Sequence, residues 1–493
     1  MRPCPSPMPL SELLPELHLS APLASLAVQG MSNDSRRVQP GDLFLACQGA
    51  RHDGAAFVNQ AAAAGAVAVL CDRKLADPVL PLLVVPDLAE RTAELASRFY
   101  GAPSRQLYCT GVTGTNGKTS VSHFIARALT ALEGSAALVG TNGYGFPGAL
   151  ADTTHTTPDS LRLQQMLATL GSEGARSVTL EVSSHALEQG RVAGLEFDQG
   201  VFTNLTRDHL DYHGTMEEYG AAKARLFLDS DLDQAVINLD DPFGARLAER
   251  LEGRYPVLGY GFSAKAALRA LDCEASAQGL RARIATPWGE LNLQTSLLGR
   301  FNLYNLLATL GVLAGRGHSL ETIGAALSQL EGVPGRMQPL QRAGAPLVVV
   351  DYAHTPDALE KALRALREHQ PGALWCVVGC GGDRDRGKRP LMAAMAEQLA
   401  DHLVLTSDNP RGEAPERILE EMHAGLSGEK KVRTLVEREA AITLAVTHAA
   451  PGDIVLVAGK GHENYQEIEG VRHPFSDVEV VEAALTARGG GRA

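Results

Sequence analysis

Leu107-Tyr108-Cys109-Thr110-Gly111-Val112-Thr113-Gly114-Thr115-Asn116-Gly117-Lys118-Thr119-Ser120 is the segment from which the fold is read. Leu107 to Val112 is a short apolar run, the pattern of a strand buried on both faces. The glycines behind it let successive backbone N–H groups turn toward one point, and a helix is expected from about Ser120 to Leu132. Strand, glycine loop and helix in that order form a phosphate cradle. Gly114, Thr115, Asn116, Gly117 and Ser120 would line it, Lys118 would reach the β- and γ-phosphates, and the Thr119 hydroxyl would bind Mg²⁺. The strict pattern G-x-x-x-x-G-K-[ST] requires glycine at 112, where the chain has Val112, so the loop is a variant. A ligand-free glycine turn is the competing reading, and the order of elements favours nucleotide binding. Kinases, motor ATPases and ligases all use such a cradle, so it names no reaction.

Working outward, Ser177 to Val182, Gln199 to Phe202 and Ala235 to Leu239 are further short apolar runs. Their alternation with helical stretches implies an open α/β sheet. Upstream, Asp42 to Cys47 and Ala66 to Leu70 read as strands around an Ala-rich helix, Phe57 to Gly65. Downstream, Leu347 to Val350, Leu374 to Val378, His402 to Thr406 and Asp453 to Val457 repeat the pattern. That is a second doubly wound sheet, with ligands expected at the carboxyl ends of its strands, where Asp351, Gly379, Ser407 and Ala458 lie. The chain has 493 residues, and at roughly 150 per domain this implies about three domains. Gly101 to Ser104 and Gly332 to Arg336 are Gly/Pro-rich boundaries. The expected division is an N-terminal domain over 1–104, a central P-loop parallel-sheet domain over 105–336 and a C-terminal Rossmann-like domain over 337–493.

The composition, 45% hydrophobic and 21% charged, is that of a folded globular chain. Lys+Arg minus Asp+Glu is 45 − 57 = −12, which argues against nucleic-acid or anionic-membrane partners. Seven cysteines without a C-x-x-C pair give no disulfide framework and no zinc ribbon. The longest apolar run, Ala61 to Cys71, is far short of the ~20 residues a membrane helix needs. The first residues do not make a signal peptide. A cytoplasmic protein without membrane insertion is expected.

Glu181 closes a strand, where its carboxylate can reach a cation at the phosphate loop. His209 and His213 have i, i+4 spacing but no H-E-x-x-H pattern, and spacing alone favours a structural role. Taken in order, Thr113 to Thr119, Glu181-Val182-Ser183-Ser184-His185 and Asn204-Leu205-Thr206-Arg207-Asp208-His209-Leu210-Asp211-Tyr212-His213 resemble the Mur ligase family. Members are ATP-dependent amide-forming enzymes of peptidoglycan synthesis. The resemblance runs along nearly the whole chain. It implies that Thr119 and Glu181 ligate one Mg²⁺ and that His209 helps hold a second. It also implies that Lys223 carries a carbamate formed from CO₂; read bare, Lys223 is an ordinary helix lysine.

Within the family, Asn33-Asp34-Ser35-Arg36 and Gly41-Asp42-Leu43-Phe44 resemble the UDP-binding segment of ligases that add the third stem-peptide residue. Ser35, Arg51 and His52 would contact the uridine diphosphate. The segment His155-Thr156-Thr157-Pro158-Asp159, with Ser183, Gln189 and Arg191, would hold the muramoyl-peptide. Asp408-Asn409-Pro410-Arg411 resembles the motif that selects meso-diaminopimelate. Diaminopimelate carries one carboxylate more than lysine, which a guanidinium binds in bidentate fashion. Arg384, Gly459 and Glu463 would take its other amine and carboxylate groups. Asn302, Arg336, Asp351 and His354 resemble nucleotide contacts, implying domain closure over ATP.

The expected reaction is therefore attack of the D-glutamyl γ-carboxylate of UDP-N-acetylmuramoyl-L-alanyl-D-glutamate on ATP. The resulting acyl phosphate is then captured by diaminopimelate, with Lys118, His209 and Lys223 as catalytic groups in a monomer. The alternatives are a lysine-adding or tripeptide-recycling ligase of the same family, and a non-catalytic ATP-binding scaffold. Folylpolyglutamate synthetase shares the loop, but the peptide-side motifs argue against it.

Overall fold

The computed structural model describes residues 6–49, 53–153, 155–276, 278–369, 372–428 and 430–490. The chain forms two compact units, Met1–Ala266 with Gly311–Arg316, and Ala267–Leu310 with Gly317–Ala493.

The first unit is built on two main sheets, beside the short antiparallel pair Met8–Pro9 and Ala27–Val28. A four-stranded parallel sheet runs Gly30–Ser32, Asp42–Ala46, Ala68–Cys71, Leu82–Val84. Leu43, Leu45 and Leu70 pack there against Leu95 and Phe99 of the helix Leu88–Phe99. The larger sheet has six parallel strands, ordered Ala136–Gly140, Ser177–Glu181, Tyr108–Thr113, Gln199–Phe202, Gln234–Asn238, Val257–Gly261. Gly143–Phe146 and Ala149–Ala151 extend its edge as antiparallel strands. Tyr108–Thr113 sits between Ser177–Glu181 and Gln199–Phe202, so their carboxyl ends deliver the glycine loop, Glu181 and Thr203–Asn204 side by side. This is the position where doubly wound sheets bind ligands.

The second unit opens with an antiparallel meander, Leu268–Ser276, Gly279–Thr286, Gly289–Thr295. Its main sheet runs Gln338–Leu340, Leu347–Asp351, Ile454–Ala458, Leu374–Val378, His402–Leu405, Val432–Thr434, parallel except for the first pair. Alternate residues face opposite ways, as the strand period of two requires. Val349, Cys376 and Leu456 join Leu359, Leu363 and Met392 on one side. Val348, Val350, Val377 and Val455 join Ile442, Val446 and Val481 on the other. Helices thus cover both faces, which explains why these strands read as unbroken apolar runs.

The strands read from the sequence are present, with ends displaced by one or two residues. The helix behind the glycine loop starts earlier than expected, at Lys118 rather than about Ser120, because Gly117 at φ +88° already turns the chain into it. Among the described residues no helix is long and apolar enough to cross a membrane, and six cysteines are free thiols.

His369 shows how one buried ring organises a junction. Its Nε2 accepts the Gly299 N–H at 2.7 Å, so its Nδ1 must carry the proton donated to the Ser276 carbonyl at 2.6 Å. Both contacts need the neutral ring, and burial pushes its pKa below the usual histidine value of 6.5. Above that value the folded chain keeps both bonds. As pH falls below it the unfolded chain takes up the proton first, and stability is lost down to the folded pKa. Between pH 6.5 and 5, stability of His369→Gln, measured by urea unfolding, should fall less steeply than that of the parent chain. Equal slopes would contradict this assignment.

Candidate active site

The glycine loop is held open by the segment behind Gln199–Phe202. Asn204 O accepts the Thr115 N–H at 2.8 Å, and Asn204 Oδ1 accepts the Asn116 N–H at 3.0 Å. The Thr203 hydroxyl donates to Asn116 O at 2.6 Å. Gly114 has φ +142°, and a Cβ there would lie 1.9 Å from Thr203 Oγ1, so only glycine fits. The helix Lys118–Glu133 starts with no side-chain cap, which leaves its first N–H groups and dipole facing the loop.

Two lysines converge on one carbonyl. Lys118 Nζ donates to Gly114 O at 2.8 Å and to Thr115 O at 3.0 Å; Lys223 Nζ donates to Gly114 O at 2.9 Å. Lys223 is 1% exposed and lies over the Tyr219 ring, 4.3 Å from its centroid. Burial first, and then the Lys118 charge, hold its amine well below the usual lysine pKa. The Glu181 carboxylate is also buried. It accepts from the Thr119 hydroxyl at 2.9 Å, the Thr141 N–H at 2.9 Å and the Thr141 hydroxyl at 3.1 Å.

Beside it, Thr156 Oγ1 lies 3.0 Å from Thr141 Oγ1, and the Thr157 hydroxyl donates to Glu181 O at 2.8 Å. Thr157 Oγ1 accepts the Ser183 N–H at 3.0 Å, and Arg191 Nη1 donates to Thr157 O at 2.9 Å. Gln189 Oε1 accepts from the Arg191 guanidinium while its amide donates to Tyr212 Oη at 3.0 Å. The structure therefore brings Thr156, Thr157, Ser183, Gln189 and Arg191 together next to Glu181, with His155 exposed at the edge.

His209 caps the short helix Leu210–His213 at φ +53°. Its ring stands edge-on to His185, centroids 4.9 Å apart. Partial burial, with the Lys118 and Lys223 charges, lowers its pKa. His213 points the other way into the protein, its Nε2 2.9 Å from Ser184 Oγ and its Nδ1 3.0 Å from Glu188 Oε2. His213 is thus used inside the protein, whereas His209 feels the Lys118 and Lys223 charges.

Toward the N-terminal sheet, a cavity of about 340 Å³ is lined by Ser32, Asn33, Arg36, Asp159 and Arg162, among others. Ser35 is not on its wall; the Ser35 hydroxyl is used by Gln60 Oε1 at 2.9 Å. Arg51 and His52 lie outside the described residues.

In the second unit the candidate residues form two groups. Asp351 accepts the Met337 N–H at 2.7 Å and the Ala353 N–H at 2.9 Å, and burial raises its carboxyl. The Arg336 guanidinium lies 4.6 Å over the Tyr352 ring, and His354 Nδ1 is 2.8 Å from Tyr352 O. Asn302 is buried: its amide donates to Leu298 O, just before its helix Arg300–Gly315, and accepts from Asn305 within it. The other group occupies the ends of His402–Leu405 and Ile454–Ala458. Asn409 donates to Glu463 Oε2 at 2.8 Å, and Lys460 Nζ donates to both Asn409 Oδ1 and Glu463 Oε2 at 3.0 Å. Arg411 Nη1 donates to Gly382 O at 2.9 Å, with Pro410 buried beside it and Arg384 exposed on the facing loop. Gly459 has φ +119°, and a Cβ would come 2.4 Å from Asp408 Oδ2.

Sequence reading did not assign Thr141, Tyr219, Arg162 or Lys460. Lys460 stands in Gly459-Lys460-Gly461-His462-Glu463, between two residues already assigned to the amino-acid site, and that position was the available signal. Among the described residues, four of the eight non-glycine residues with left-handed backbone are His209, Met337, Asp383 and Arg411. Each is a candidate residue or the neighbour of one, as expected where strain serves a site.

Family models for the Mur ligase middle domain match residues 112–313, for the Mur ligase glutamate ligase domain 335–461, and for the Mur ligase family catalytic domain 27–100. The chain is similar to the UDP-N-acetylmuramoyl-L-alanyl-D-glutamate–2,6-diaminopimelate ligase of Ectopseudomonas mendocina, 52% identical over 98% of this chain and 99% of that one. The ligase of the same name from Pseudomonas aeruginosa is also 52% identical, over the same shares. A solved structure under that name superposes with a TM-score of 0.73 at 39% identity, covering 98% of this chain and 99% of the other.

Proposed function

The chain belongs to the Mur ligase family, and from that premise we propose that it joins meso-diaminopimelate to the D-glutamate of UDP-N-acetylmuramoyl-L-alanyl-D-glutamate. The reaction consumes ATP and yields ADP and phosphate, in the cytoplasmic synthesis of peptidoglycan precursor by a monomer. Residues 1–104 serve the UDP end, 105–336 the ATP and 337–493 the incoming amino acid.

The observation that carries this reading is the chemistry of the Asp408–Arg411 loop. A guanidinium from Arg411 and a carboxylate from Glu463 suit a ligand that carries both carboxylates and amines. With lysine, Arg411 would lose the bidentate partner that a far carboxylate provides and keep only Glu467 at 3.8 Å and Gly382 O at 2.9 Å, so the site discriminates through that missing pairing.

In the first unit, the uncapped helix N-terminus, the loop N–H groups and Lys118 hold the ATP phosphates and offset their charge. Ser183, Gln189 and Arg191 orient the peptide. The γ-carboxylate oxygen attacks the γ-phosphorus and ADP leaves; the diaminopimelate amine, having lost a proton, then attacks the acyl carbon and phosphate leaves. Thr119 and Glu181 fit a magnesium site, because this cation needs only one or two carboxylates when phosphates and water complete its shell. No group of three His, Cys, Asp or Glu is assembled among the described residues, which suits a site completed by substrate. When bound, Mg²⁺ neutralises phosphate charge; His209 and the Lys223 carbamate would hold a second ion. Lys223 suits carbamylation because its burial favours the neutral amine. That nitrogen bonds to CO₂ and releases a proton, becoming an anion beside Lys118.

Phosphate release from ATP and UDP-N-acetylmuramoyl-L-alanyl-D-glutamate should be fast with meso-diaminopimelate and slow with L-lysine. Arg411→Ala should lower kcat/KM for diaminopimelate by about 10- to 100-fold. A preference for lysine would keep the family and remove this substrate. Turnover should also drop in bicarbonate-free buffer and return when bicarbonate is added; indifference to bicarbonate would remove the carbamate.

A further inference from the structure

The two loops that present Arg411 and Arg384 are locked together by a buried ion pair that touches neither arginine. Arg389, on the helix Lys388–Leu399, has a fully buried side chain. It donates to Glu413 Oε1 at 2.7 Å and Oε2 at 3.1 Å, to Glu421 Oε2 at 2.7 Å and to Gly381 O at 3.2 Å. Glu413 in turn accepts the Asp383 N–H at 2.7 Å and Arg386 Nη2 at 2.8 Å. Hydrogen bonding from Arg389 holds the Glu413 carboxyl down to about 2, so the pair stays charged at any working pH.

The consequences reach Arg411 through backbone. Asp383, fixed by Glu413, sits at φ +51° and accepts the Gly412 N–H at 2.9 Å. The Gly382 N–H donates to Asn409 O at 2.9 Å, while Gly382 O receives Arg411 Nη1 at 2.9 Å. A Cβ on Gly382 would lie 1.9 Å from Pro410 O, so the loops interdigitate without slack. Arg411 itself is at φ +52°; its backbone is held by its N–H on Glu467 O at 2.9 Å and by the Glu469 N–H on its own O at 2.6 Å, which leaves the direction of its side chain to the Gly382 loop.

We infer that Arg389 and Glu413 are positioning residues of the amino-acid site: their ion pair fixes the 381–386 and 409–413 loops in the one register that aims Arg411, and so sets which amino acid is accepted. The Arg389 guanidinium is buried while its carboxylate partners reach the surface, so the pair contributes through its directed hydrogen bonds to both loops rather than through bulk stability. The inference rests on the proposed selection of diaminopimelate.

The test is steady-state kinetics of Glu413→Gln, an isosteric change that removes the charge. The expected pattern is a KM for diaminopimelate raised at least tenfold, with KM for ATP and for the UDP-substrate within twofold of the parent. The ratio of kcat/KM for diaminopimelate to that for L-lysine should fall at least tenfold. Thermal unfolding above the assay temperature confirms that the variant is folded. If it is not, Arg386→Ala, at the exposed side of the same carboxylate, should give the same pattern at about two- to fivefold. An unchanged diaminopimelate KM, or an equal rise in all three KM values, would overturn the inference. Failure of the parent chain to use diaminopimelate would instead remove the proposed function, so the two failures are distinguishable.

Discussion

Two lysine side chains cannot both be comfortable on one carbonyl oxygen, yet Lys118 and Lys223 meet at Gly114 O at 2.8 and 2.9 Å. Everything around the first unit's site follows from that crowding. The carbonyl is available only because Gly114 adopts a backbone that a side chain would block against Thr203. Thr203 and Asn204, in turn, stand there because Gln199–Phe202 is the parallel neighbour of Tyr108–Thr113. The sheet order thus buries one amine beside another, and burial first, then the neighbouring Lys118 charge, pushes Lys223 toward neutrality. An amine kept neutral is a nucleophile, and converting it to an anion beside Lys118 would relieve the repulsion.

The second unit solves a different problem with the same sheet logic. Strand ends Asp351, Val378, Leu405 and Ala458 are adjacent, so loops far apart in sequence meet over one edge. Buried charges hold them. Arg438, itself fully buried, pairs with Asp477 and donates to the carbonyls of Ser407 and Ala458. Arg389 and Glu413 do the equivalent for the loops on either side of Arg411. Selectivity for a charged amino acid then depends on geometry that apolar packing alone would leave loose.

The fold was legible where burial made the strands apolar: Gln199–Phe202 and Leu374–Val378 are where their residues suggest. The meander Leu268–Thr295 was not, because its strands alternate Arg, Glu and Asp with buried residues and resemble surface sequence. At the site, Gly114, Lys118, Thr119 and Glu181 could be read from motif and order. Lys223 could not be read without the family, since nothing local marks its helix position as buried. Ser35 and Asn302 matched a pattern, and in the structure they bond to Gln60 and to Leu298 and Asn305, contacts that no local sequence signal announces. Arg389 and Glu413 escaped because their partners are 24 residues apart in the chain and meet only through the sheet.

The most direct test of the account follows an oxygen atom. The D-glutamyl γ-carboxylate of UDP-N-acetylmuramoyl-L-alanyl-D-glutamate is labelled with ¹⁸O and turned over with ATP and diaminopimelate, and the released phosphate is analysed by mass. Carboxylate attack on the γ-phosphorus predicts one ¹⁸O in each phosphate and one retained in the amide. Phosphate free of label would show that its fourth oxygen comes from water, and the acyl-phosphate route would be wrong.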